Sequence, residues 1–243
     1  MDHLDRPRRL SDVATSIPVL VGGFVVVTLL AIGPLQGLDH AIDGPWAQRF
    51  APALAPFLMN VTDRVASQPV NLPVLVIAAV LIAWRTRSPR PVLLAIGAEA
   101  GFYLTGLLKL GFARPAPVVG DPSFFAGGLW DVGRVGISFP SGHAVEVVLI
   151  YGTVVHLLRD HLGVSLQRDR VLRLLWTAAV LNCVVTSFVL GYHWLTDLLG
   201  GVVLGALLLR VLVTVDRRWP AVRREPGGER QAADAVPERV VAH

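Results

Sequence analysis

The sequence predicts an all-α membrane protein, a bundle of six spanning helices whose reactive groups lie at the extracytoplasmic helix ends. Three observations carry that reading. Of the 243 residues 53% are hydrophobic and only 16% charged, where a soluble domain carries about 25% charged residues. The apolar residues come in blocks that can cross a bilayer at about 1.5 Å per residue. Arginines bracket those blocks and form no single basic face, so the sequence pI of about 10.0 reads as a topology signal and not as a nucleic-acid surface.

Taken in order, residues 1–16 are a polar segment carrying Arg6, Arg8 and Arg9, and Ile17 to Leu35 is the first span. Its apolar run is too long for a cleaved signal peptide and no small-residue cleavage site follows. Segment 36–69 mixes Asp39, His40, Asp43, Trp46 and Arg49 with apolar residues, as an interfacial helix or a membrane-surface loop does. The second span runs from Val70 to Trp84, with Pro73 near its start and Arg85, Arg87 and Arg90 behind it. The third runs from Pro91 to Leu110 and holds Glu99 and Lys109. A loop rich in Gly, Pro and Phe occupies 111–140. Span four is Ser141 to Leu158, followed by a connector with Arg159, Arg168, Arg170 and Arg173. Span five is Leu172 to Leu190 and span six Trp194 to Val215, so 17–215 forms one membrane domain. The tail, 216–243, is polar, Arg-rich and expected to be disordered.

Six spans put both termini on one side, and that side holds most of the arginines. The positive-inside rule places it in the cytoplasm. A multi-pass plasma-membrane protein is expected, with the 111–140 loop, the start of span four and the turn at 191–196 facing outward together. Cys183 is the only cysteine and lies in an apolar block, which excludes disulfides and cysteine zinc sites. No metal and no cofactor are expected, and oligomeric state leaves no mark in the sequence.

Three pieces converge on the outer face. Lys109 is the only lysine among 22 basic residues and precedes Arg114-Pro115-Ala116-Pro117. A snorkelling lysine at a helix end is common, but a lone lysine in a chain that otherwise uses arginine favours a specific role. In Pro140-Ser141-Gly142-His143, Pro140 ends the loop and Ser141 can cap the helix that follows. The first N–H groups of such a helix have no intrahelical partner and suit an anion, phosphate above all. In Gly191-Tyr192-His193-Trp194-Leu195-Thr196-Asp197, His193 and Asp197 are four apart, close enough on a helix for the carboxylate to reach the imidazole. A carboxylate on one ring nitrogen leaves the other as a nucleophile or base. Glu99 and Glu146 read equally well as protonated packing residues or as parts of the site.

Together these pieces resemble the type 2 phosphatidic acid phosphatase family, also called lipid phosphate phosphatases, within the acid phosphatase and vanadium haloperoxidase superfamily. Pro140 to His143 matches the family's second motif, His193 and Asp197 match the third, and Lys109 opens the first. The resemblance implies metal-free hydrolysis of a lipid phosphomonoester or diphosphate. In it His193 forms a phosphohistidine, Asp197 orients it, His143 protonates the leaving alkoxide, and Lys109, Ser141 and Gly142 hold the phosphoryl oxygens. The expected partners are the bilayer and a membrane lipid phosphate, such as phosphatidate, phosphatidylglycerophosphate or a polyprenyl (di)phosphate. Two family arginines that clamp phosphate are absent: Ala116 and Ser187 stand at their positions. Arg114 or Arg134 is the expected substitute. The alternative is a family member without phosphatase activity that binds or moves a lipid, or transfers a different group.

Overall fold

The computed structural model describes residues 15–219, and among these every regular element is helical. The helices are α1 Ile17–Ile32, α2 Gln36–Ile42, α3 Trp46–Phe50, α4 Gln68–Thr86, α5 Arg90–Phe112, α6 Gly142–His156, α7 Leu166–Val189 and α8 Leu195–Arg218. The segment expected to lie on the membrane surface contains α2, α3 and short helical turns from Ala55 to Ala66 that lead into α4. The second span is therefore longer than Val70 to Trp84: helical backbone runs from Ala55 to Thr86.

Four stretches are long and apolar enough to cross a membrane: Ala55–Thr86, Arg90–Val119, Leu166–Val189 and Leu195–Arg218. The pair Ile17–Ile32 and Gln36–Phe50, bent by 72°, raises the number to five if it counts as one span. The remaining apolar block is α6, and it forms the centre of the bundle. Ten of its 15 residues are buried, enclosed by α4, α5, α7 and α8. Its Leu149 and Ile150 share one apolar cluster with Leu75, Ile82 and Leu94.

Glycines bring α8 onto α6. A Cβ on Gly201 would come within 2.6 Å of the Ser141 carbonyl oxygen, and one on Gly205 within 2.9 Å of Val148 Cβ. Small residues four apart let two helix backbones approach, and in a bilayer that close contact is what drives helices together. The approach matters locally, because Ser141 opens α6 and Asp197 lies one turn before Gly201.

The chain end differs from expectation. The polar tail is expected from Asp216 onward, yet α8 continues to Arg218 and buries Asp216. Arg90 pairs with this carboxylate at 3.1 Å, and the Nε2 atoms of His156 and His161 lie 2.8 and 3.0 Å from it. A buried charge persists when it is paired in this way. Residues 1–14 and 220–243, with the N-terminal segment and the rest of the tail, lie outside the described residues.

Candidate active site

The start of α6 is built as its sequence suggests. Ser141 is its N-cap, and the hydroxyl accepts from the Ala144 N–H at 3.3 Å. The N–H groups of Gly142 and His143 precede the first possible intrahelical acceptor. Lys109, in the last turn of α5, lies beside them, so that a Cβ on Gly142 would sit 3.9 Å from its Nζ. The ammonium donates to the carbonyls of Ile137 (2.9 Å) and Ser138 (3.3 Å). Of three ammonium protons, one is left for an anion.

His193 sits in the turn between α7 and α8, and its ring centroid is 6.1 Å from that of His143, with the planes at 70°. Its Nδ1 faces Asp197 Oδ2 at 3.5 Å. That is ion-pair range and longer than a formed hydrogen bond, and Nδ1 has no closer partner among the described residues. Burial pushes the His193 pKa down to about 4 against the pull of Asp197, and the cations Lys109 and His143 add to the depression. The ring is thus neutral near pH 7. With Nδ1 protonated toward the carboxylate, Nε2 keeps its lone pair.

Asp197 is itself locked in place. Its Oδ1 accepts from Arg114 Nη1 at 2.6 Å and its Oδ2 from the Trp194 N–H at 3.2 Å. Arg114 is fully buried. Its other contacts run from Nη1 to Thr196 Oγ1 (2.8 Å), from Nη2 to Asp39 Oδ2 (2.7 Å) and from Nε to the Pro122 carbonyl (2.9 Å). The rings of Phe124 and Trp194 lie 4.8 and 5.5 Å from the guanidinium carbon. Asp39 completes the set by accepting from the Thr196 N–H and hydroxyl.

A cavity of about 1040 Å³ opens in front of these groups, and Lys109, Gly142, His143 and His193 all line it. So do Arg134, Ala116, Gln68, Glu146, Tyr103 and Tyr192. Arg134 is exposed and has no ion-pair partner among the described residues.

The family model described as the PAP2 superfamily matches residues 70–220. The chain belongs to the PAP2 superfamily. It is 26% identical over 216 residues to a Bacillus subtilis protein, phosphatidylglycerophosphatase B, covering 86% of this chain and 98% of that one. In fold it is similar to a solved transmembrane PAP2-type phosphatidylglycerolphosphate phosphatase from Bacillus subtilis. There the TM-score is 0.70 at 21% identity, over 85% of this chain and 98% of the other.

Within this PAP2 site, the residues expected from the sequence divide into two groups. His193, His143, Lys109 and Gly142 reach the cavity, with Asp197 directly behind His193. Ser141 and Arg114 do not. Ser141 is fully buried, with its oxygen used as the helix cap. The expectation that Arg114 holds phosphate is corrected by its pairing: Asp39, Asp197, Thr196 and Pro122 occupy the guanidinium, and none of it is exposed. Ala116 does line the cavity, so the side chain missing there is missing where it would count. Its N–H donates to the Val135 carbonyl at 2.6 Å, which sets Arg134 one residue from its backbone partner. Ser187 is buried and its hydroxyl has no partner among the described residues.

Sequence reasoning missed Asp39 as a member of the site. It lies 158 positions before Asp197, among other polar residues of the segment read as an interfacial helix or a membrane-surface loop, and no spacing rule links the two. The only available signal was a carboxylate next to an apolar span that needed a buried cation as partner.

Proposed function

We propose that the protein is an integral-membrane lipid phosphatase working through a phosphohistidine. The observation that carries this reading is the pair His193 and His143, 6.1 Å apart in one cavity with Lys109, with Asp197 fixed behind the first histidine. The spacing suits one phosphoryl group between the rings, since reacting atoms need an approach of roughly 3–3.5 Å. Nε2 of His193 attacks phosphorus, the bond from phosphorus to the lipid oxygen breaks, and His143 protonates the departing alkoxide. Asp197, held by Arg114, stabilises the charge that develops on the His193 ring. Water, giving up a proton to neutral His143, then attacks phosphorus and the phosphorus–nitrogen bond breaks, which releases inorganic phosphate and restores the Nε2 lone pair of His193. Lys109, the α6 N–H groups and Arg134 hold the phosphoryl oxygens, and these cations supply the charge stabilisation without a metal.

Arg134 takes the place of the arginine absent at Ala116, from the neighbouring loop backbone. The exposed Tyr103 and Val118 at the cavity suit a lipid-borne phosphate, and phosphatidylglycerophosphate is the first substrate to try, given the relatives. The bundle crosses the membrane six times, with α6 as one span, both termini in the cytoplasm and the site outside the plasma membrane.

One observation favours a second reading. With Arg114 committed to protein and Ala116 and Ser187 at the clamp positions, a protein that binds or moves a phospholipid without cleaving it would be built similarly. Phosphate release by detergent-purified protein decides between them. The panel comprises phosphatidylglycerophosphate, phosphatidate and undecaprenyl diphosphate, assayed in EDTA. Release is expected to survive EDTA, to vanish in His193→Ala, and to fall about 10²–10³-fold in kcat/KM in Arg134→Ala. No release from any lipid, with wild type equal to His193→Ala, would leave the binding reading standing.

A further inference from the structure

A second cavity, of about 290 Å³, lies at the far end of the bundle from the histidine pair, between α1, α6, α7 and α8. Arg159, Arg173, Arg210 and Arg217 line it together with apolar residues that include Val155 and Leu209. Three of the arginines are occupied: Arg173 by Asp169, Arg217 by Asp160, and Arg159 by both aspartates at 3.7 Å. Arg210 is different. It stands in α8 eight residues before the helix's last residue, Arg218, which is about 12 Å inside the span. Its guanidinium has no hydrogen bond or ion pair with any described residue. The Trp176 side chain lines the same cavity, and its buried indole N–H has no acceptor among the described residues.

A charged group within a membrane span is costly unless it meets an opposite charge, and such residues mark sites. Here four guanidinium groups against two aspartates leave an excess of two positive charges, with a neutral N–H donor beside them and apolar walls around them. Basic pockets between spanning helices of this kind receive anionic headgroups. We infer that this cavity binds an anionic phospholipid in the leaflet opposite the active site. Its net-anionic headgroup, carboxylate included, bonds to Arg210 and the Trp176 N–H, and an acyl chain lies along Val155 and Leu209. The inference rests on the chain spanning a membrane and not on the phosphatase reading.

The test uses the full-length protein, stripped of lipid in detergent. Retention is measured by native mass spectrometry, and the melting temperature is followed with each additive. The probes are phosphatidylserine, phosphatidylcholine of the same chains, and inorganic phosphate. Phosphatidylserine is a diester and so is no substrate for a phosphomonoesterase. It is expected to be retained about tenfold better than phosphatidylcholine and to raise the melting temperature. A charge-assisted contact of this kind is worth about tenfold or more in binding. Arg210→Gln should remove that preference while leaving His193-dependent phosphate release unchanged. Equal retention of the two lipids would overturn the proposal, as would a folded Arg210→Gln protein that behaves like wild type, or a stabilisation by inorganic phosphate equal to that by phosphatidylserine. Should Arg210→Gln fail to fold, Trp176→Phe carries the test, since it keeps the ring and loses only the N–H. A fall in phosphatidylserine retention of about threefold is expected there, and unchanged retention would overturn the proposal.

Discussion

The Arg114 guanidinium makes four hydrogen bonds, all of them to protein, and none of it is exposed. Its removal therefore leaves two buried carboxylates, Asp39 and Asp197, facing each other's charge without compensation. Breaking a buried pair by deleting one partner costs about 3–5 kcal/mol, so Arg114→Ala should show a large fall in melting temperature before any question of rate arises. Arg114→Lys should recover little, because an ammonium cannot reproduce a planar fork that reaches four acceptor groups at once. A variant with wild-type melting temperature and raised KM would instead place Arg114 on the substrate. His193 yields a different measurement. Its pKa, pushed to about 4, lies below the ordinary value near 6.5, so the nucleophile stays neutral through the mildly acid range. The kcat/KM limb belonging to this group should bend near pH 4 and not near 6.5. The linkage has a definite sign: between those values the unfolded chain binds the proton and the folded one does not. This group's effect on stability is therefore absent above about pH 6.5 and destabilising as pH falls toward 4. A rate that halves at pH 6.5, tracking His193, would show that its ring titrates as if in water.

At the scale of the element, α6 is held against α8 by the absence of side chains. Gly201 and Gly205 allow the backbones to touch beside Ser141 and Val145. A methyl at Gly201 meets the Ser141 carbonyl at 2.6 Å, and backbone cannot swing aside as a side chain does. Overpacking of this kind costs about 1–3 kcal/mol. Gly201→Ala should lower the melting temperature and should also reduce phosphate release, since the shift falls on the residue that starts the His143 turn. Gly22→Ala, which meets nothing within 4 Å, is the control. The sequence showed the helix starts and the histidine–aspartate spacing because those are local: a cap, a loop proline and a four-residue repeat each act within one turn. It did not show α2, nor how Ala55 to Ala66 feeds α4, because short helices at an interface have too few residues for a periodicity to register. It also misplaced Arg114. A motif gives the position of an arginine along the chain, whereas its partner is chosen by whatever carboxylate the fold brings near, here Asp39 from the bent first segment.

For the whole molecule, the decisive question is which groups share a side of the membrane. The six-span layout proposed above, with α6 crossing inside the others, would set the 111–140 loop outside together with the site and the α4–α5 turn inside. Five crossings would separate the termini and break that arrangement. Cysteine labelling on the two sides of α5 reports which side of the membrane the site faces. The native Cys183 is buried, so background reaction with a maleimide should be low. Trp130, at 92% exposure in the loop, and Arg87, exposed in the α4–α5 turn, are the two probes. Trp130→Cys should react with a membrane-impermeant maleimide in intact cells, whereas Arg87→Cys should react only after permeabilisation. The arginines argue for the same result, since Arg85, Arg87 and Arg90 cluster at that turn and positive charge is retained on the cytoplasmic side. Labelling of Arg87→Cys in intact cells would invert the protein and put the histidine pair in the cytoplasm. Labelling of both positions from outside would mean that α5, the one long helix between them, does not cross. The first pattern alone lets an outer-leaflet lipid phosphate reach His193 while the arginine-lined cavity around Arg210 faces the inner leaflet.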